Sequence, residues 1–167
     1  MSIITADFVT RLSGGAANTV GNSSLGGAKS STAASSTVDQ LFDAVSAAEA
    51  AAGRVEYRCV YLHNANAVDT MTNAVVYVSA NTPLAGTTLD IGVGTSAVNG
   101  TEQTIASETT APTSVTFSAP TTAGTGLALG TIPPGQHMAI WLRRTVTAGS
   151  ASSANDTFTL GYQCETV

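Results

Sequence analysis

Charge is what this chain has least of. Asp, Glu, Lys and Arg make up 10% of its 167 residues, against roughly 25% in ordinary soluble domains. Aromatic residues reach only 5%, and there are two cysteines and two histidines. Each shortage removes a class of function. With a net charge of −5 the chain offers no basic face, and no nucleic-acid partner is expected. Arg143 and Arg144 are the one adjacent basic pair, and on a strand they point to opposite faces. No apolar run approaches the length of a spanning helix, so no membrane partner is expected. The first residues, Met1 to Asp7, lack a basic n-region and a sustained apolar h-region. They read as a cytoplasmic start and not as a secretory signal.

The sparse reactive residues do not assemble into a motif. Cys59 and Cys164 are read as free, largely buried thiols, because two cysteines in a chain without a secretory signal are usually reduced; their pairing stays open. There is no zinc spacing and no EF-hand loop, with Asp69, Asp90 and Asp156 widely scattered. Gly92-Val-Gly94 precedes polar loop and not a helix, so it is no dinucleotide fingerprint. No Gly-x-Ser-x-Gly elbow occurs. His63 and His137 have no acidic neighbours and read as structural or exposed. The chain is expected to be no enzyme and to hold no cofactor or metal.

What is abundant is Ser and Thr, roughly a quarter of the chain, together with short alternating apolar segments. A hydroxyl surface carries little self-repulsion and tolerates close packing against copies or partners. From Arg54 onward the hydrophobic period is two. Strands are expected at 54–63, 73–79, 87–93, 102–106, 114–118, 127–129, 137–146 and 157–164, separated by Gly, Pro, Asn and Ser/Thr turns. In the first, Val55, Tyr57, Cys59 and Tyr61 share one face and Glu56, Arg58, Val60 and Leu62 the other. This is the signature of an all-β antiparallel sandwich, jelly-roll or Ig-like. One short helix is expected before it. Ser46 and Glu49 make a capping box, an alanine run follows, and Gly53 suits the residue that ends the turn.

Residues 1–36 read as an extended Gly/Ser/Ala-rich arm, and 37–167 as the sandwich domain. Such a segment is flexible in isolation, so either a neighbouring subunit holds it or it folds back on its own domain. Ile3, Ile4, Phe8, Leu12 and Leu25 are its candidate interface anchors. Trp141 is the sixth candidate. It lies opposite the row of Met138, Ile140 and Leu142, so it is either core in a strand buried on both faces or offered to a partner.

Several stretches carry a family resemblance. Arg11-Leu-Ser-Gly-Gly-Ala-Ala-Asn18, Ser24-Leu-Gly-Gly-Ala28, the run Ala50 to Asn64, Asp90-Ile-Gly-Val-Gly94 and the run Ile132 to Val146 resemble virion structural proteins of tailed bacteriophages. The resemblance implies a non-enzymatic protein present in many copies on the particle. The layout is similar to that of capsid decoration or cement proteins, which bridge shell subunits. It implies the major capsid protein or other virion proteins as partners, self-association, and a location in the virion. A tail, neck or baseplate component, or a carbohydrate-binding sandwich for host attachment, are the alternatives.

Overall fold

A computed structural model describes residues 2–35, 41–82, 85–151 and 156–166. It is an all-β fold of antiparallel sheets. The strands are β1 (Phe8–Leu12), β2 (Gly26–Gly27), β3 (Arg54–Asn64), β4 (Met71–Ala80), β5 (Thr87–Val93), β6 (Glu102–Thr104), β7 (Leu127–Ile132), β8 (His137–Val146) and β9 (Thr159–Thr166). One sheet has the order β1-β3-β8-β5, a second β7-β4-β9, and β2 pairs with β6. The strands expected at 87–93 and 137–146 have those limits.

Alternation builds the layers. Val60 and Leu62 of β3, Ile140 and Leu142 of β8, and Leu89 and Ile91 of β5 face the second sheet. There they meet Met71, Val76, Val78, Leu129 and Ile132 in the main core. The opposite face of the same four-stranded sheet carries Cys59, Tyr61, Ala139 and Trp141, which form a second core with Ile105. Leu25, Tyr57, Val115 and Phe117 pack against that core. The central sheet is therefore apolar on both sides, and β8 is the strand with no open face.

The helix α1 (Ala47–Ala52) starts and stops as its sequence dictates. Ser46 Oγ accepts from the Glu49 amide, and Glu49 Oε2 accepts from the Ser46 amide at 2.8 Å. Gly53, at φ +78°, donates its N–H to the Glu49 carbonyl at 2.8 Å.

Residues 2–35 do not form the arm expected of them. Phe8–Leu12 pairs with β3, from Phe8 opposite Asn64 to Leu12 opposite Val60. The chain then returns along the outer edge of β1, with the Leu12 amide on Thr32 O, Ser30 on Leu12 O and Ala34 on Thr10 O. The physical reason is that its serines work inward. Ser30 Oγ donates to Asn18 O at 2.6 Å, Ser31 Oγ to Ala16 O at 2.7 Å, and buried Ser13 Oγ accepts from the Gly26 amide at 3.1 Å. Hydroxyls thus order the segment together with the apolar side chains it lends to the two cores. The lower edge of β3, which β1 does not reach, is covered by the carbonyls of Ser24 and Glu108, which accept from Cys59 and Tyr57.

The stretch 114–118 is not a strand. Val115 and Phe117 do point inward, but only an Ile91–Ser118 bridge pairs the backbone. The segment crosses close over Gly92, where an added Cβ would stand 2.5 Å from Val115 Cγ1 and 2.8 Å from Thr116 O. Close approach at a glycine substitutes for ladder bonding.

Candidate functional site

The densest polar chemistry lies at the end of the main core, around Phe42. Glu56 and Arg58 project from β3 on the same face as Val60 and Leu62, and both are buried. Arg144 projects from β8 on the same face as Leu142, opposite Glu56 in register. Its guanidinium grips Glu56 Oε2, with the Nε bond at 2.8 Å, and donates to Asp43 O at 2.8 Å. Arg54 reaches Glu56 Oε1 at 2.7 Å, Glu49 Oε1 at 2.8 Å, and Glu108. Arg58 donates to Leu41 O at 2.8 Å, Tyr57 O at 3.0 Å and Glu108 Oε2 at 2.5 Å. Arg58 and Arg144 also lie over the Phe42 ring, with Cζ 5.2 and 4.8 Å from its centroid. Burial works against the Glu108 carboxylate, yet Arg58 and Arg54 overcome it and hold its pKa below the usual value.

Asp43, Glu56 and Glu108 bring oxygen atoms within 4.8 Å of one another, a spacing compatible with a cation. Three guanidinium groups already meet these oxygens, so the cluster's counter-charge is built into the chain. Its chemistry is that of a structural clasp joining β3, β8, α1 and the 105–110 loop.

A second polar group is buried behind Trp141. Glu102 accepts from Thr95 Oγ1 at 2.9 Å, the Ser96 amide at 2.8 Å and Trp141 Nε1 at 3.3 Å. Burial raises its pKa, but these donors outweigh it and pull the carboxyl down to about 2. Its backbone amide donates to Tyr61 Oη, which in turn donates to Gly27 O. Burial pushes the Tyr61 hydroxyl and the Cys59 thiol well above their ordinary range, so both stay protonated at neutral pH. Cys59 and Cys164 are both free.

The six expected interface residues divide sharply. Trp141 is fully buried and Leu12 is 3% exposed, so neither can anchor a partner. Ile3 and Phe8 pack on the main core, where Phe8 stacks on Tyr162, and Leu25 packs on the second core. Ile4 alone of the six stands in solvent, at 62%. Arg143 and Arg144 do diverge as alternation requires: Arg143 pairs with Asp90 and covers Phe117, while Arg144 enters the clasp.

The clasp is not legible in the sequence as a unit, although part of its signal is there. Glu56, Arg58 and Arg144 fall on the same faces as Val60, Leu62 and Leu142, and charged residues on a core face require partners. What sequence spacing could not supply is Glu108, delivered by a loop.

The outer face of the β7-β4-β9 sheet has no other strand layer packed on it among the described residues, and Ala128 and Gln163 are exposed there. Tyr77 lies opposite Gly161, and Val75 between Ala128 and Gln163. A Cβ at Gly161 would overlap the Tyr77 ring, so the glycine lets that ring lie flat on the sheet. The charge on this face is Glu165, which accepts from Asn73 Nδ2 at 2.7 Å. Among the described residues no helix is long and apolar enough to cross a membrane. Comparisons with protein-family models, with curated proteins and with solved structures find no match.

Proposed function

We propose that this chain is a structural protein of a tailed-bacteriophage virion, a capsid decoration or cement protein that stabilises the shell through many repeated contacts. The observation that carries the reading is where the charge goes. Four of the six Lys and Arg residues (Arg54, Arg58, Arg143 and Arg144) are spent on internal ion pairs. The outer sheet face is left nearly uncharged. A surface of hydroxyls, small residues and one flat tyrosine packs against copies or shell proteins without repulsion or costly desolvation of ions. The motif resemblance points to the same class. Because residues 2–35 belong to the domain, the contact is assigned to the β7-β4-β9 face and not to an arm. Repetition over many copies supplies avidity that one such weak contact lacks.

The test substitutes two exposed residues of that face, Ala128→Lys and Gln163→Lys, and measures occupancy on purified particles. Occupancy is expected to fall with the fold intact; unchanged occupancy removes this face from the contact. The flat Tyr77 favours a second reading, a glycan-binding face for host attachment. Glycan titration of the wild-type protein and of Tyr77→Ala separates the two, since a decoration protein gives no saturable response.

A further inference from the structure

Arg11 and Lys29, the two cations outside the ion-pair networks described above, both bring positive charge to bear on His63, and Lys29 also on His137, the chain's only two histidines. His63 and His137 are directly opposite each other in the β3–β8 ladder, at one end of the central sheet. On the neighbouring strand Val9 lies opposite His63, and Arg11 opposite Tyr61. His63, Tyr61, His137 and Arg11 therefore share the face that carries the second core. The Tyr61 and His137 rings meet edge-on, with centroids 4.9 Å apart. Lys29 comes from the returning segment that straps β1, and its ammonium has one weak contact, to Ser30 O at 3.4 Å.

Three nitrogens in this cluster are buried without a hydrogen-bond partner: Nε of Arg11 and Nδ1 of both histidines. Buried polar atoms of this kind ordinarily have a partner; Arg11 Nε is a donor at any pH, and each imidazole Nδ1 is a donor once its ring is charged. His137 Nε2 lies 3.3 Å from Gly100 O, and the Gln136 backbone favours the charged form of His63. With the Nε2 proton of His137 directed at Gly100 O, a further proton on that ring goes to Nδ1; in a charged His63 ring both nitrogens are donors. Arg11 and Lys29 surround the rings with positive charge. Glu102 lies in the same layer, but its carboxylate is held by Thr95, Ser96 and Trp141.

We propose that Arg11, Lys29, His63 and His137 form an oxyanion-binding site that takes a phosphate, sulfate or carboxylate group. Arg11 and Lys29 supply fixed charge and the two imidazoles supply donors as they protonate. Burial, then Lys29 and Arg11 around His63, and Lys29 with His63 around His137, hold both rings below the ordinary histidine pKa. A bound anion reverses that repulsion, so binding takes up protons and strengthens as pH falls from neutral toward 5.

The experiment follows the imidazole resonances of the whole chain by NMR at pH 6 and fixed ionic strength. The probes are inorganic phosphate, sulfate and acetate, each added separately. Saturable shifts of both His63 and His137, with raised titration midpoints, are expected. Lys29→Gln should weaken binding about tenfold or more, as loss of a charge-assisted bond requires, and Arg11→Gln should do the same. Preference for phosphate and sulfate assigns a tetrahedral anion, whereas equal response to acetate assigns a carboxylate. Absence of a saturable shift with all three probes, or equal shifts in wild type and Lys29→Gln, overturns the proposal. Lys29 makes so little contact that its variant retains the fold.

Discussion

Replacing Glu56 by Gln tests the clasp at its centre. Glu56 is 1% exposed and receives bonds from both Arg54 and Arg144. The substitution keeps the shape and deletes the charge, leaving two guanidinium groups facing an amide that can offer one acceptor oxygen. Breaking a buried pair costs about 3–5 kcal/mol. Arg54 is 28% exposed and recovers some hydration, while Arg144 at 13% recovers less, which places the expected loss near 3 kcal/mol. At roughly 2–4 °C per kcal/mol for a chain of this size, Tm should fall by about 6–12 °C. Urea unfolding followed by tryptophan fluorescence reads it well, because Trp141 is the only tryptophan and sits in the adjoining core. The double variant Glu56→Met with Arg144→Leu should lose less than the sum of its singles, since it leaves fewer unpaired charges. A loss below about 1 kcal/mol for Glu56→Gln, or strict additivity in the cycle, refutes the claim that this network is a coupled structural element.

Two further outcomes follow from the same structure. The folded pKa of Glu102, about 2, lies below its unfolded value near 4.5. Its contribution is therefore complete above pH 4.5 and is lost as pH falls toward 2, on the order of 3 kcal/mol at most. Acid titration of stability in wild type and Glu102→Gln should show a shallower acid limb in the variant, and parallel limbs would contradict the assignment. Deleting residues 2–35 removes β1 and uncovers Tyr61 and Cys59 of the second core. The product is expected to be insoluble or without a cooperative melt, and a normal melt would restore the arm as a separate unit.

The strands that the sequence disclosed were those with clean alternation. His137–Val146 and Thr87–Val93 were legible because Ile140, Leu142, Leu89 and Ile91 repeat at period two and turn residues bound them. The capping box at Ser46 was equally legible, being a purely local device. Residues 2–35 were not, because much of their order comes from serine hydroxyls bonding backbone groups many residues away and from one strand pairing with β3, and composition scores those serines as linker. The second core was half visible: Trp141 was placed opposite Met138, but its roof is irregular loop, which has no period to read. The anion cluster needed the ladder register, since His63 and His137 are far apart in sequence and become neighbours only when β3 and β8 pair.

If the proposed virion role holds, quantitative mass spectrometry of heads and tails separated from particles whose genome carries this sequence tests the central claim most directly. The account expects this chain on heads in high copy, in fixed ratio to the major capsid protein. Its absence from both fractions would contradict a virion role altogether, and its confinement to tails would replace the shell-stabilising role with a tail one.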